Sequence, residues 1–261
     1  MNIEEYIQNE NEKPLDNIVS DGGFTAIFRT ISCIGDSLSS GEFESLKADG
    51  SHGFHDMFEY SWGQFLGRMC GSRVYNFSRG GMTAKEYCEN FADANGFWNP
   101  KYASQCYIIF LGVNDIICQR QEVGSVNDVD FSDYKNNTKN FAGYYAQIIQ
   151  RLNQIQPRAK FFLMTMNSSG ENDLRIKDKQ EHAALLYDFA EKFDNTYVLD
   201  MLKYAPKHDE KYCEKFGLLG HANPMGYLLT AKMTASYIDY IIRHNMDDFK
   251  EVGFIGTSLH G

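Results

Sequence analysis

Short apolar runs and longer segments with helical spacing alternate along most of this chain. Thr30 to Ile34 is β-branched or small and apolar, which predicts a buried strand. Arg73 to Phe77, the fully apolar Tyr107 to Leu111, Lys160 to Met166 and Thr196 to Asp200 predict four more. Between them, Trp62, Phe65, Leu66 and Met69 mark a helix over Tyr60–Met69 that Gly71 stops. Thr83 caps a helix running to about Ala94, with Glu86 at the capping-box position. Tyr144, Tyr145, Ile148, Ile149 and Leu152 form the buried stripe of a helix over Ser132–Gln156, with Pro157 past its end. Asp173–Phe193 is the next helix, and Pro224 opens the last, which runs to about His244. Phe24–Phe28 is expected as a short edge strand or hairpin arm. The Gly- and His-containing stretch 41–56 is expected as a long loop, and Gln119–Asp130 as an exposed one.

Five strands alternating with helices predict an α/β fold with a parallel sheet covered on both faces. Right-handed crossovers then make a five-stranded, flavodoxin-like strand order the natural arrangement, with every strand-end motif on one rim. The expected organisation is a single domain over residues 1–261. Residues 1–22 form a polar lead-in, and the 247–261 tail docks on the domain, bridges a dimer or stays loose. An apolar fraction of 43% with 23% charged residues is that of a soluble globular chain. A net charge of −10, with no basic tract, argues against nucleic acid and anionic membrane surfaces as partners. Residues 1–17 lack a signal-peptide pattern, and the six cysteines show neither CxxC pairs nor compact disulfide spacing. The expectation is a cytoplasmic protein with reduced thiols, Cys33 and Cys106 being small core residues. Nothing in the sequence sets the oligomeric state.

The chemistry gathers at strand ends. Gly35-Asp36-Ser37 stops the first strand and exposes a hydroxyl at its carboxyl end, where ligands of open α/β sheets sit. Serine and aspartate are also ordinary turn and cap residues, so Ser37 needs partners to mean anything. Acyl transfer requires a base, oxyanion donors and something that orients the base. Of seven histidines, His52, His55, His182, His208, His244 and His260 have surface explanations. His221 instead lies in Gly-Leu-Leu-Gly-His-Ala-Asn-Pro, feeding the last helix at the same rim. The oxyanion donors in view are the amides of Ser37 and Gly81 and the side chain of Asn114. Asp36, Asn114 and Asp115 are also oxygen donors of the kind Mg²⁺ takes. No phosphate cradle accompanies them, so neither metal nor cofactor is expected.

Gly35-Asp36-Ser37-Leu38 resembles the first sequence block of the GDSL, or SGNH, hydrolases. Asn76-Phe-Ser-Arg-Gly-Gly81-Met-Thr83 is similar to the second, with Gly81 at the oxyanion position. Gly112-Val-Asn114-Asp115 resembles the third, and His221-Ala-Asn223-Pro-Met-Gly226-Tyr the fifth, whose histidine is the base. The blocks occur in order across residues 30–245. The resemblance implies a three-layer α/β/α sandwich and metal-independent hydrolysis of esters or thioesters.

One position departs from that pattern. The family places its triad aspartate three residues before the histidine, and here that residue is Leu218. A backbone carbonyl near Leu218, or Asp200, Asp209, Glu210 or Glu214, is left to orient His221. The carbonyl is the preferred choice, with Asp200, Asp36 and Asp115 as loop braces. The functional expectation is a serine esterase releasing a small, acetyl-like acyl group from a small-molecule ester such as an acylated carbohydrate, beneath a lid over Phe54–Trp62. The alternatives are a thioesterase, or a non-catalytic binding protein that lost its triad acid.

Overall fold

The computed structural model describes residues 3, 6, 7, 9 and 11–259. Its centre is β1 (Thr30–Gly35), followed by the one-turn helix α1 (Ser37–Ser40) and by β2 (Glu42–Leu46) and β3 (His52–Asp56). Helix α2 (Trp62–Cys70), β4 (Arg73–Ser78), α3 (Ala84–Glu86), a π turn at Tyr87–Phe91 and α4 (Ala92–Ala94) come next. Then follow β5 (Cys106–Phe110), α5 (Phe141–Ile155), β6 (Lys160–Met164), α6 (Ile176–Lys192), β7 (Thr196–Leu199) and α7 (Met201–Tyr204). Helix α8 (Glu210–Phe216) leads to the short pair β8 (Gly217–Leu218) and β9 (His221–Ala222), then α9 (Pro224–His244) and α10 (Met246–Phe249).

The main sheet has the order β4-β1-β5-β6-β7, and every pair in it is parallel. Counting only its own strands, this is 2-1-3-4-5, the expected flavodoxin-like order. Alternation of side chains divides the core into two layers. Ile34, Tyr107, Ile109, Phe161 and Leu163 face α5 and α6, whereas Ile31, Cys33, Ile108, Phe110, Phe162 and Met164 face α2 and α9. The sheet with helices on both faces is an α/β/α sandwich. Each large apolar side chain buried there contributes about 1.5–3 kcal/mol relative to exposure. Register sets the site: Gly35 pairs with both Ser78 and Phe110, so β1, β4 and β5 end at one level.

Several local expectations give way to tertiary context. Phe24–Phe28 is no strand, because Gly23–Ile27 is a 3-10 turn held where Thr25 Oγ1 donates to the Ala235 carbonyl. The 41–56 loop is a β-hairpin, β2–β3, closed through Lys47–Ser51 and held by Phe43, whose ring packs on Tyr60 and Tyr227. Helix α5 begins at Phe141 rather than Ser132. Asp130 accepts from Ser132, Asp133 and Asn136, and these side-chain bonds compete with helix formation until Asn140 caps Gly143. His182 is buried rather than superficial, its Nε2 bonded to the Leu111 carbonyl, and burial pushes its pKa down to about 4. The C-terminal segment docks through Phe249, Val252 and Ile255, and the lead-in is held where Arg243 donates to Glu12. His260 lies outside the described residues, as does part of the 1–22 lead-in.

Asp115 ties the strand ends to the helical layer. Its Oδ1 accepts from the Ala84 amide at 2.9 Å, while Oδ2 is buried without a partner. Burial pushes its acid up to about 7, well above the ordinary carboxylate value. The folded state therefore holds a proton that the unfolded chain releases near pH 4, and this contribution to stability is lost as pH rises toward 7. The Asp115→Asn variant, whatever its constant cost, is expected to gain on the wild type by up to about 2–3 kcal/mol between roughly pH 5 and pH 7. Urea titrations at both pH values check this, and a difference independent of pH would rule it out.

Candidate active site

Three of the four blocks meet through one amide. Asn114 Nδ2, just past β5, donates to the Met82 carbonyl at 3.1 Å and to Asp36 Oδ2 at 3.3 Å. Asp36 caps α1, its Oδ1 accepting from the Leu38 amide at 3.0 Å. It is buried, and burial pushes its acid up to about 7, with the Asp115 charge adding to the effect. Ser37 takes the first helical position, where the one-turn helix has no carbonyl to pair with its amide. Its side chain is half-buried at the rim. Gly81 sits in the turn in which the Met82 amide bonds the Arg79 carbonyl. Its φ of +71° explains the glycine, since open space rather than a clash surrounds the missing Cβ.

His221 arrives from the other side. The β8–β9 pair is joined by the two-residue turn Leu219-Gly220, with Leu219 in the left-handed region at φ +54°. A bulky residue there is a local strain, immediately beside the imidazole. Asn223 caps α9 by accepting from the Gly226 amide, and its own amide donates to the Lys215 and Gly217 carbonyls. Tyr227 OH donates to the Glu42 carbonyl at 2.6 Å and lies 3.4 Å from the Ser37 carbonyl. That contact ties the histidine block to the Ser37 block.

The ring's partners were not among those expected. His221 Nδ1 lies 3.3 Å from Glu44 Oε2, and Nε2 lies 3.1 Å from Glu42 Oε1. Ser37 Oγ makes no hydrogen bond to the imidazole among the described contacts. The Phe54 ring meets His221 edge-on at 6.1 Å. Glu44 also accepts from the Gly220 amide at 2.7 Å and pairs with His52. These donors, His52 first, hold its acid below the ordinary range. Glu42 is pushed the other way by burial, its carboxylate packed so tightly on Gly80 that a Cβ there would lie 2.1 Å from Oε2.

None of the carboxylates considered for orienting His221 reaches it. Asp200 accepts from Thr165 Oγ1, Tyr187 OH and the Lys203 amide at the start of α7. Asp209 caps α8, Glu210 and Glu214 lie exposed on that helix, and Leu218 pairs with His221 across the β8–β9 turn. Glu42 and Glu44 were missed because polar, glycine-containing sequence reads as loop. The available signal was the Phe43-flanked alternation followed by Asp49-Gly50, a hairpin pattern.

A pocket of about 130 Å³ opens beside His221, lined by Leu38, Phe110, Tyr212, Phe216 and Tyr227 among others. His208 borders it, stacked on Tyr212 at 4.0 Å, its pKa pushed down to about 4 by burial. A larger groove of about 580 Å³ lies between residues 120–125 and α6 and contains none of these groups. Among the described residues, no cluster of three or more His, Cys, Asp or Glu is arranged to hold a metal ion. Among the same residues, no helix is long and apolar enough to cross a membrane.

Comparison with known proteins bears on the family and the fold. The GDSL-like lipase/acylhydrolase family matches residues 33–229. No match was found among curated proteins. Among solved structures, a family two carbohydrate esterase from Clostridium thermocellum, in complex with cellohexaose, is 16% identical, with TM-score 0.57. The alignment covers 88% of this chain and 66% of that one. A family two enzyme with a carbohydrate-binding domain from Corynascus thermopiles is also 16% identical, over 80% of this chain and 65% of that one, with TM-score 0.53. This chain thus spans about two thirds of those longer proteins. A catalytic mutant of an acetylxylan esterase from Geobacillus stearothermophilus is 18% identical over 80% of this chain and 94% of that one, with TM-score 0.50. At such identities the structural likeness is one of fold, whereas the family match spans most of the chain. The chain belongs to the GDSL-like lipase/acylhydrolase family, a group of carboxylic ester hydrolases.

Proposed function

We propose that the protein is a metal-independent serine esterase that removes a small acyl group from a small-molecule ester, with Ser37 as nucleophile and His221 as general base. One observation carries the reading: β1, β4 and β5 end in register, so Ser37, the Gly81 turn and Asn114 share one rim, to which Tyr227 ties the His221 block. In the reaction Ser37 Oγ attacks the acyl carbonyl and His221 Nε2 accepts its proton. The amides of Ser37 and Gly81, with Asn114 Nδ2, stabilise the oxyanion. Asn114 is able to supply a hydrogen because its bond to Asp36, at 3.3 Å, is long. His221 then protonates the departing alcohol and activates the water that releases the acyl group. The step requires Nε2 to leave Glu42 for Ser37. Such hydrogen bonds are often misaligned without substrate.

The pocket of about 130 Å³ beside His221 supports a short acyl chain. Acetylated carbohydrate is the preferred alcohol, in keeping with the carbohydrate and acetylxylan esterases of similar fold. We place the activity in the cytoplasm, where thiols such as these six stay reduced, and assign it to one domain built on the five-stranded sheet. A second reading is favoured by the Glu42 contact itself. With Nε2 turned to a carboxylate, the site would bind a ligand without turning it over.

Hydrolysis of p-nitrophenyl acetate separates the two. Ser37→Ala is expected to lower turnover by about a thousand-fold or more, and equal turnover in both proteins would reject the esterase. Asn114→Ala is expected to cost about 100- to 1,000-fold in kcat. Along a series from acetyl to octanoyl esters, kcat/KM should fall steeply beyond the shortest chains. A preference for octanoyl would remove the small-acyl assignment.

A further inference from the structure

We propose that Glu44, on the hairpin that follows the nucleophile, is the positioning residue that holds the His221 ring for catalysis. The inference rests on the Ser37–His221 reading and supplies the member that Leu218 does not. In a serine–histidine pair one ring nitrogen exchanges a proton with the serine, and the other is held by an acceptor that sets tautomer and orientation. Here Nδ1 faces Glu44 Oε2 at 3.3 Å. The same oxygen accepts from the Gly220 amide at 2.7 Å, so one atom anchors both the ring and the backbone just before it. The other oxygen is occupied by His52 from the opposite arm of the hairpin. A carboxylate with that many donors is fixed in direction, as an orienting group must be.

Position in the chain explains how an acid arises without the usual sequence spacing. Glu44 lies only a few residues beyond Ser37, on a strand whose Phe43 is locked between Tyr60 and Tyr227. Leu218 is 40% exposed and lies opposite His221 in the β8–β9 pair, and its side chain has no group able to accept from the imidazole, whose ring nitrogens face Glu44 and Glu42 instead. Glu42 does not fit the orienting role, because it faces Nε2, the nitrogen that serves Ser37. The two carboxylates therefore divide the ring: Glu44 orients it, and Glu42 holds the reactive nitrogen until substrate enters. The nearby charges differ in the same sense, since Glu44 is held ionised by its donors while burial disfavours the charge on Glu42.

The test measures the rate of Ser37 labelling by a fluorophosphonate probe, together with kcat and KM on p-nitrophenyl acetate. It uses the full chain and its Ser37→Ala, Glu44→Gln, Glu44→Ala and Glu42→Gln variants. Glu44→Gln keeps one acceptor oxygen for Gly220 but removes the charge that faces Nδ1, and is expected to lower kcat and labelling about 100-fold, with KM changed by no more than about two-fold. Formate should restore part of the activity of Glu44→Ala, which a purely structural defect would not allow. Wild-type labelling rates in Glu44→Gln would overturn the proposal while leaving the esterase standing. So would loss of labelling in Glu42→Gln with none in Glu44→Gln. A wild-type chain that the probe does not label at Ser37 would instead sink the underlying esterase reading.

Discussion

β1 is the constraint on which the rest depends. It is paired on both edges and buried on both faces, so its register with β4 and β5 leaves no freedom to slip. A slip by one residue would turn Ile31 and Cys33 toward the layer that receives Ile34, and would misalign three strand ends at once. Ser37, Gly81 and Asn114 are far apart in sequence, yet they share a rim because that register is held by packing throughout the sheet. The Asn114 amide then joins the loops directly, through Asp36 and the Met82 carbonyl.

Two buried carboxylates support that junction, at an electrostatic cost. Asp36 caps the helix that opens with Ser37 and Asp115 holds the start of α3, and burial pushes both acids up to about 7. Each is worth more as a fixed acceptor of a backbone amide than as a charge, and neutralisation near pH 7 lowers the desolvation penalty. Their position beside the family's serine and asparagine links the stability of the rim to the same pH range in which a histidine base works.

The imidazole presents the opposite arrangement, with carboxylate oxygens facing both ring nitrogens. A neutral ring has one N–H, so both contacts are hydrogen bonds only when an added proton resides on the ring or on Glu42. The hairpin that brings these carboxylates forms its own two-stranded sheet, attached by the aromatic packing of Phe43, the Tyr227 bond to the Glu42 carbonyl and the Gly220 contact rather than by pairing with the main sheet. Its geometry can thus change without disturbing the β1 register.

The sequence by itself determined the five parallel strands, their order and the rim on which the family's motifs fall. Those follow from short-range facts: apolar runs of strand length, helical periodicity between them, and Gly-Asp-Ser, Gly-Gly and Asn-Asp turns at their ends. It also singled out His221 among seven histidines, because the flanking Gly and Asn-Pro mark the entry to a helix. Only the tertiary structure decided what the ring touches. Glu42 and Glu44 lie almost 180 residues before His221, on a polar hairpin with a weak local signal, and nothing in residue spacing reports a contact of that range. The same reason accounts for the buried His182, whose surroundings come from strand and helix neighbours rather than from its own polar segment. Local pattern sets which elements form, whereas the partners of a polar side chain are chosen by whichever distant groups packing brings within hydrogen-bond reach.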